Sequence, residues 1–107
     1  MNIITNDKGK LALAIIALKE VDDPEIGLNV IDLGLIYQVD FDDADKAVYC
    51  AMTLTTQFCP MGQSISDSVS NALEQCFVKY SIYVKVIFDP PWNSELISEA
   101  GREFLNQ

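Results

Sequence analysis

A cysteine followed at once by proline, Cys59-Pro60, closes the stretch "TLTTQFCP" at residues 53–60. The stretch lies between a run that alternates like a strand and a run with helical period. A thiol acts as nucleophile and as metal ligand only as the thiolate, so the question is what ionises it. The chain contains no histidine, which removes Cys-His and Ser-His couples and the HExxH zinc site. A helix N-terminus is the substitute activator at hand. Proline is favoured at the first helical position, and a helix starting at Pro60 makes Cys59 its N-cap, where free amides and the dipole favour the anion. A second start is open. Gly62 is poor in a first turn, and Ser64-Ile65-Ser66-Asp67 has capping-box spacing. That start leaves Cys59 further from the dipole.

Other residues suit the same chemistry. The hydroxyls of Thr55 and Thr56 are close enough in sequence to face whatever Cys59 binds, whereas Thr53 reads as an ordinary strand residue. Asp22, Asp23 and Glu25 offer hard oxygen ligands, or else simply end a helix and meet solvent. Cys50 falls in the apolar alternation of a strand and Cys76 on the apolar stripe of a helix. Both read as small buried hydrophobes. Three scattered cysteines without a CxxC pair cannot close a four-ligand site within one chain unless carboxylates, a small molecule or a second chain help.

The elements that must position these residues follow from periodicity. Asn6 or Asp7 caps a helix from Lys8 to Val21, with Leu11, Ile15 and Leu18 on one side, and Asp23-Pro24 stops it. A loop, "PEIGLNVIDLG", follows, in which Asp32 is placed for an Asx-type turn before Leu33-Gly34. Leu35, Tyr37, Val39 and Phe41 form the apolar face of one strand, and Val48, Cys50, Met52 and Leu54 that of its hairpin partner. A long helix runs to about Tyr80 with Ile65, Val69, Ala72 or Leu73, and Cys76 inward. A third strand carries Ile82, Val84, Val86 and Phe88. The rigid "DPPW" turn leads to a last helix, capped by Asn93 or Ser94 and running toward Asn106, with Trp92 part-buried. The order α-β-β-α-β-α predicts a two-layer α+β domain over residues 1–107, with helices on one face of a mixed three-stranded sheet. If the second and third strands are parallel, their helical crossover is right-handed.

Composition bounds the function. The 107 residues are half hydrophobic and carry a formal charge of −9, from 16 acidic and 7 basic residues. Nucleic acid and anionic membrane are therefore excluded as expected partners, since both need basic patches. The apolar run "LALAIIAL" is too short to span a bilayer, and "MNIITNDKGK" lacks the features of a signal peptide. A cytoplasmic setting with reduced thiols is expected.

Taken together, "VDDPEIGLNVIDLGLIY", "MTLTTQFCP" and "DPPWNSELISEAGR" resemble the SufT/PaaD-like family of iron–sulfur cluster assembly domains, from about Leu18 to Arg102. The family's DPE turn matches Asp23, Pro24 and Glu25. Its T-x-T-x-x-x-C-P segment matches Thr53, Thr55, Cys59 and Pro60, and its DPPW segment matches Asp89 to Trp92. Its late arginine matches Arg102. Gln57 and Phe58 stand where the family often has small residues or proline. No cysteine-rich extension follows Gln107, which points to the SufT-like branch. The resemblance implies a fold similar to the NifU C-terminal domain and a role in iron–sulfur cluster assembly, with Cys59 as the reactive or metal-handling thiolate, Thr55 and Thr56 orienting its loop, and Asp23 and Glu25 at the rim. One thiol cannot hold a cluster. Any cluster or iron is shared with a second copy in a homodimer, with a scaffold or client protein, or with a glutathione-like thiol, and it is labile. Two other classes stand beside this one: a thiol-dependent enzyme using a carboxylate as base, and a metal-free adaptor docking through its acidic surface and the DPPW turn.

Overall fold

The computed structural model describes residues 3–56 and 61–106. Asp7 caps the first helix, α1 (Lys8–Leu18), its carboxylate accepting the Lys10 N–H at 3.1 Å. Two strands form the hairpin, β2 (Ile36–Asp42) and β3 (Ala47–Met52). The long helix α2 (Gly62–Cys76) crosses to β4 (Ser81–Val86), and α3 (Glu99–Leu105) ends the chain.

Among the described residues the sheet has four strands, not the expected three. A two-residue strand, β1 (Ile4–Thr5), precedes α1 and pairs parallel with β2. Two residues are too few to show an alternation. What fixes β1 is Asn6, whose side-chain amide donates to the Phe41 carbonyl and accepts the Phe41 N–H, each at 2.9 Å. The order is β1-β2-β3-β4, with β2 and β3 antiparallel and β3 and β4 parallel. The sheet is therefore mixed, as expected.

Register explains a second difference. A bulge between Ile36 and Gln38 breaks the β2–β3 ladder and resets the alternation. Ile36, Val39 and Phe41 are buried, while Tyr37 is only half-buried. With Val48, Cys50 and Met52 they form the inner face, which packs on Ala14 and Leu18 of α1 and on Ile65, Val69 and Leu73 of α2. The outer face carries Gln38, Asp40, Tyr49, Tyr83 and Lys85, with the two tyrosine rings stacked at 5.3 Å.

The helices are shorter than their apolar patterns. α1 ends at Leu18 because the Val21 N–H turns back to Leu18 and the Val21 carbonyl is taken by the Val30 N–H. The expected last helix is two pieces. Asn93 caps a single 3-10 turn at Ser94–Leu96, and Ser98 caps α3.

Candidate functional site

Topology brings the three sequence motifs to one end of the sheet. Because β3 and β4 are parallel and β2 runs against them, the segment after β3, the segment after β4 and the loop before β2 share that end. The first carries Thr53 to Thr56, the second carries DPPW, and the third is "VDDPEIGLNVIDLGL".

The loop before β2 is built from the inside. Asp23 is buried at 2% exposure, and its Oδ1 accepts the Glu25 N–H at 2.9 Å. The Asp23 backbone closes the turn, its N–H donating to Leu28 and its carbonyl accepting from Gly27 at 2.7 Å. Asp23 therefore shapes the turn, whereas Glu25 is exposed. The expected Asx-type turn at Asp32 is instead made by Asn29, whose Oδ1 accepts the Asp32 N–H at 2.9 Å. The Asp32 carboxylate is engaged elsewhere. It accepts from Asn29 Nδ2 at 2.7 Å and from Ser98 Oγ at 2.7 Å. Burial alone would raise the Asp32 pKa. The bonds from Asn29 and Ser98 and the charge of Lys19 outweigh it and hold the carboxyl below the usual range.

The DPPW segment is stitched onto this loop. Trp92 Nε1–H donates to the Leu33 carbonyl at 2.6 Å, and Tyr37 O–H to the Pro90 carbonyl at 2.9 Å. Trp92 is half-buried, as its composition suggests. Gly34 has φ +76°, and a Cβ there would sit 2.3 Å from the Leu96 carbonyl oxygen. Only glycine fits that crossing. At Gly101 a Cβ would come within 3.1 Å of the Asp32 carbonyl, so α3 is seated on the same loop. Arg102 stays exposed and donates to the Ser94 carbonyl at 2.9 Å, closing the final turns. A cleft of about 340 Å³ runs between the segments, lined in part by Ile31, Tyr37, Glu95 and Ser98.

The thiol-bearing segment is anchored on both sides. The Thr53 N–H carries the β2–β3 pairing one step past Met52 by donating to the Leu35 carbonyl at 2.8 Å, and Thr53 is fully buried. Thr55 is half-buried and Thr56 exposed. On the far side, Gly62 opens α2 with a Cβ position only 2.6 Å from Leu54 Cδ1. The helix thus starts at a glycine, which the sequence pattern counted against a start there. Met61 is the N-cap and uses no side-chain bond. Both expected starts are thereby corrected, the one at Pro60 with Cys59 as cap and the one at Ser64. Cys59 itself lies outside the described residues, with Gln57, Phe58 and Pro60.

The other two thiols are occupied by the fold. Cys50 is 2% exposed, and burial pushes its pKa up to about 12. Cys76 is half-buried, contacts the Leu13 carbonyl at 3.7 Å, and is also pushed up by burial. Among the described residues, no three cysteine, aspartate or glutamate side chains converge to hold a metal ion. Asp22, Asp23 and Glu25 share a turn but form no such cluster. Sequence reasoning missed Asn29, Ser98, Tyr37 and Gly34. Asn29-x-x-Asp32 and Ser98-Glu99 were readable as cap and turn signals, whereas the reach of Ser98 to Asp32 across 66 residues has no local signal.

Comparison with known proteins supports the family and the fold. The family described as iron–sulfur cluster assembly protein matches residues 14–78. The chain is 38% identical over 86 residues to the Fe-S protein maturation auxiliary factor YitW of Bacillus subtilis, covering 80% of this chain and 83% of that one. It is 37% identical over 82 residues to the Fe-S protein maturation auxiliary factor SufT of Staphylococcus aureus, covering 77% and 92%. A crystal structure of a domain of unknown function from Bacillus anthracis superposes with a TM-score of 0.82 at 32% identity, covering 90% of each chain. A conserved hypothetical protein from Thermotoga maritima superposes at 0.73 and 33% identity, covering 100% of this chain and 99% of that one. With a matched family model across most of its length, its motif segments gathered at one end of a mixed sheet and named relatives in iron–sulfur maturation, the chain belongs to the SufT/PaaD-like family of iron–sulfur cluster assembly proteins.

Proposed function

We propose that this chain is an accessory factor of cytoplasmic iron–sulfur protein maturation that works through Cys59 as a thiolate contacting iron or sulfur. The observation that carries the reading is the anchoring of the thiol-bearing segment. Thr53 is tied to Leu35 on one side and Gly62 is pressed on Leu54 on the other. Both anchors are at the sheet end where the DPPW segment bonds to Leu33 and Tyr37. The burial of Cys50 and the partial burial of Cys76 leave Cys59 as the thiol assigned to chemistry.

In this reading Thr55 and Thr56 orient the segment. Asp23 acts through the turn it holds, and Glu25 is the exposed carboxylate at the rim. A cluster is cargo here. One thiolate supplies a single ligand where a cluster usually takes four, so the rest come from a scaffold or client protein, a second copy of the chain or a small thiol. Such shared ligation is labile, which suits transfer.

The test is restoration of iron–sulfur enzyme activity in cells lacking their own factor of this family. Wild type restores it, and Cys59→Ser does not while remaining folded. Full restoration by Cys59→Ser, with loss on Trp92→Ala, would move the assignment to a metal-free adaptor.

A further inference from the structure

We infer that the open edge of β4 accepts an extended segment of a partner protein, added as a further strand in which apolar and acidic residues alternate. The inference does not rest on the chemistry assigned to Cys59. The two edges of the sheet differ. One is β1, whose two residues leave little to pair with. The other is β4, paired with β3 from Ser81 to Val86 without a bulge and without proline. Two bonds fix the direction of its backbone groups. The Ser81 N–H donates to the Lys46 carbonyl at 2.7 Å, and the Ile87 N–H donates to the Met52 carbonyl at 2.8 Å. Backbone groups alternate sides along a strand, so the odd-numbered residues of β4 face β3. Ile82, Val84 and Val86 therefore turn their N–H and C=O groups outward, and among the described residues no strand lies there to take them. An unpaired row of this kind is a template for another extended chain.

Side chains and charges name the occupant. A strand laid on this edge continues both faces of the sheet. On the inner face it meets Ile82, Val84 and Val86, which are half-buried and packed against the core, so its residues there are apolar. On the outer face it meets Tyr83, 54% exposed, and the exposed Lys85, so its residues there are acidic. Among the described residues Lys85 forms no ion pair. No aspartate or glutamate lies between Glu74 and Asp89, whereas Lys79 and Lys85 do. The acid in the cross-strand row of Tyr83 is Asp40, two strands away beyond Tyr49, and Gln38 Nε2 donates to it at 2.6 Å. The edge is thus locally cationic on a chain of charge −9. A second copy of β4 brings no carboxylate to this edge and adds its own lysines, so charge selects a different chain. Val86 leads into the DPPW segment, so the added strand reaches the motif end of the sheet.

Nuclear magnetic resonance of the full chain, titrated with two synthetic peptides, tests the inference. One peptide alternates valine with glutamate, the other valine with lysine. Without peptide, the amides of Ile82, Val84 and Val86 are expected to exchange fast and those of Tyr83 and Lys85 slowly. The glutamate peptide is expected to shift and protect the first three, and N-methylation of its pairing amides to abolish the effect. Lys85→Glu, at an exposed position, is expected to keep the fold, to weaken the glutamate peptide about fivefold or more and to favour the lysine peptide. Slow exchange at Ile82, Val84 and Val86 in the free monomer would show the edge already covered and overturn the proposal. So would the absence of any response to the glutamate peptide up to roughly 1 mM, or equal binding of the two peptides. Protection that rises with protein concentration alone would assign the edge to a second copy and overturn the assignment to a partner.

Discussion

The two ends of the sheet are held by different physics. At the hairpin end, Lys10 Nζ meets Asp43 Oδ1 at 2.6 Å, Tyr80 O–H donates to the same oxygen at 2.6 Å, and Lys46 lies 5.5 Å over the Tyr80 ring. Asp43 and Lys46 are exposed. At the motif end, Asp23, Asp32, Trp92 and Gly34 are tied to backbone or to one another in fixed, partly dry geometry. Exposed ion pairs are adjustable and screened by salt. Buried polar contacts leave a stranded partner when one member is removed. The motif end is therefore where single substitutions should cost most, and the hairpin end is the internal control.

The largest effect is expected at Gly34. Gly34→Ala forces a left-handed residue to carry a Cβ into the Leu96 carbonyl, and should lower unfolding free energy by about 3 kcal/mol in urea titrations. Trp92→Phe keeps most of the ring but strands the Leu33 carbonyl. A loss of about 1–3 kcal/mol is expected, with release of the DPPW segment readable as faster amide exchange at Gly34 and Leu35. Asp32 gives a pH signature. Its carboxyl is held below the usual range in the fold, so the unfolded chain takes up the proton first. The stabilisation is complete above the unfolded value, near 4, and disappears as pH falls through the folded one. Asp32→Asn should be less stable than wild type at pH 7 and converge with it in strong acid. A constant difference across that range would remove the carboxylate from the account. The smallest effect is expected at Asp43→Asn, with a melting-temperature change that vanishes in high salt. A salt-independent change there as large as that at Gly34 would erase the contrast between the two ends.

Much of this was legible in the residues. Alternation located β2, β3 and β4, and the helical stripe of Ile65, Val69 and Leu73 located α2. Asp7 and Asn93 were readable caps. The unread parts are those decided by contacts remote in sequence. β1 exists because Asn6 pairs with Phe41. The β2 bulge turns Tyr37 off the apolar face and toward Pro90. Gly62, a mark against a helix start when read alone, packs closely on Leu54 at the start of α2. The site was legible as three motifs, but their meeting at one sheet end required the strand directions, and the Ser98–Asp32 contact required the fold.

The most direct test of the central claim is time-resolved alkylation of the native chain at neutral pH, with peptide mapping. One thiol per chain should react rapidly and map to Cys59. Cys76 should lag far behind, and Cys50 should react only on unfolding. A native chain in which Cys59 reacts no faster than Cys50 would contradict the account.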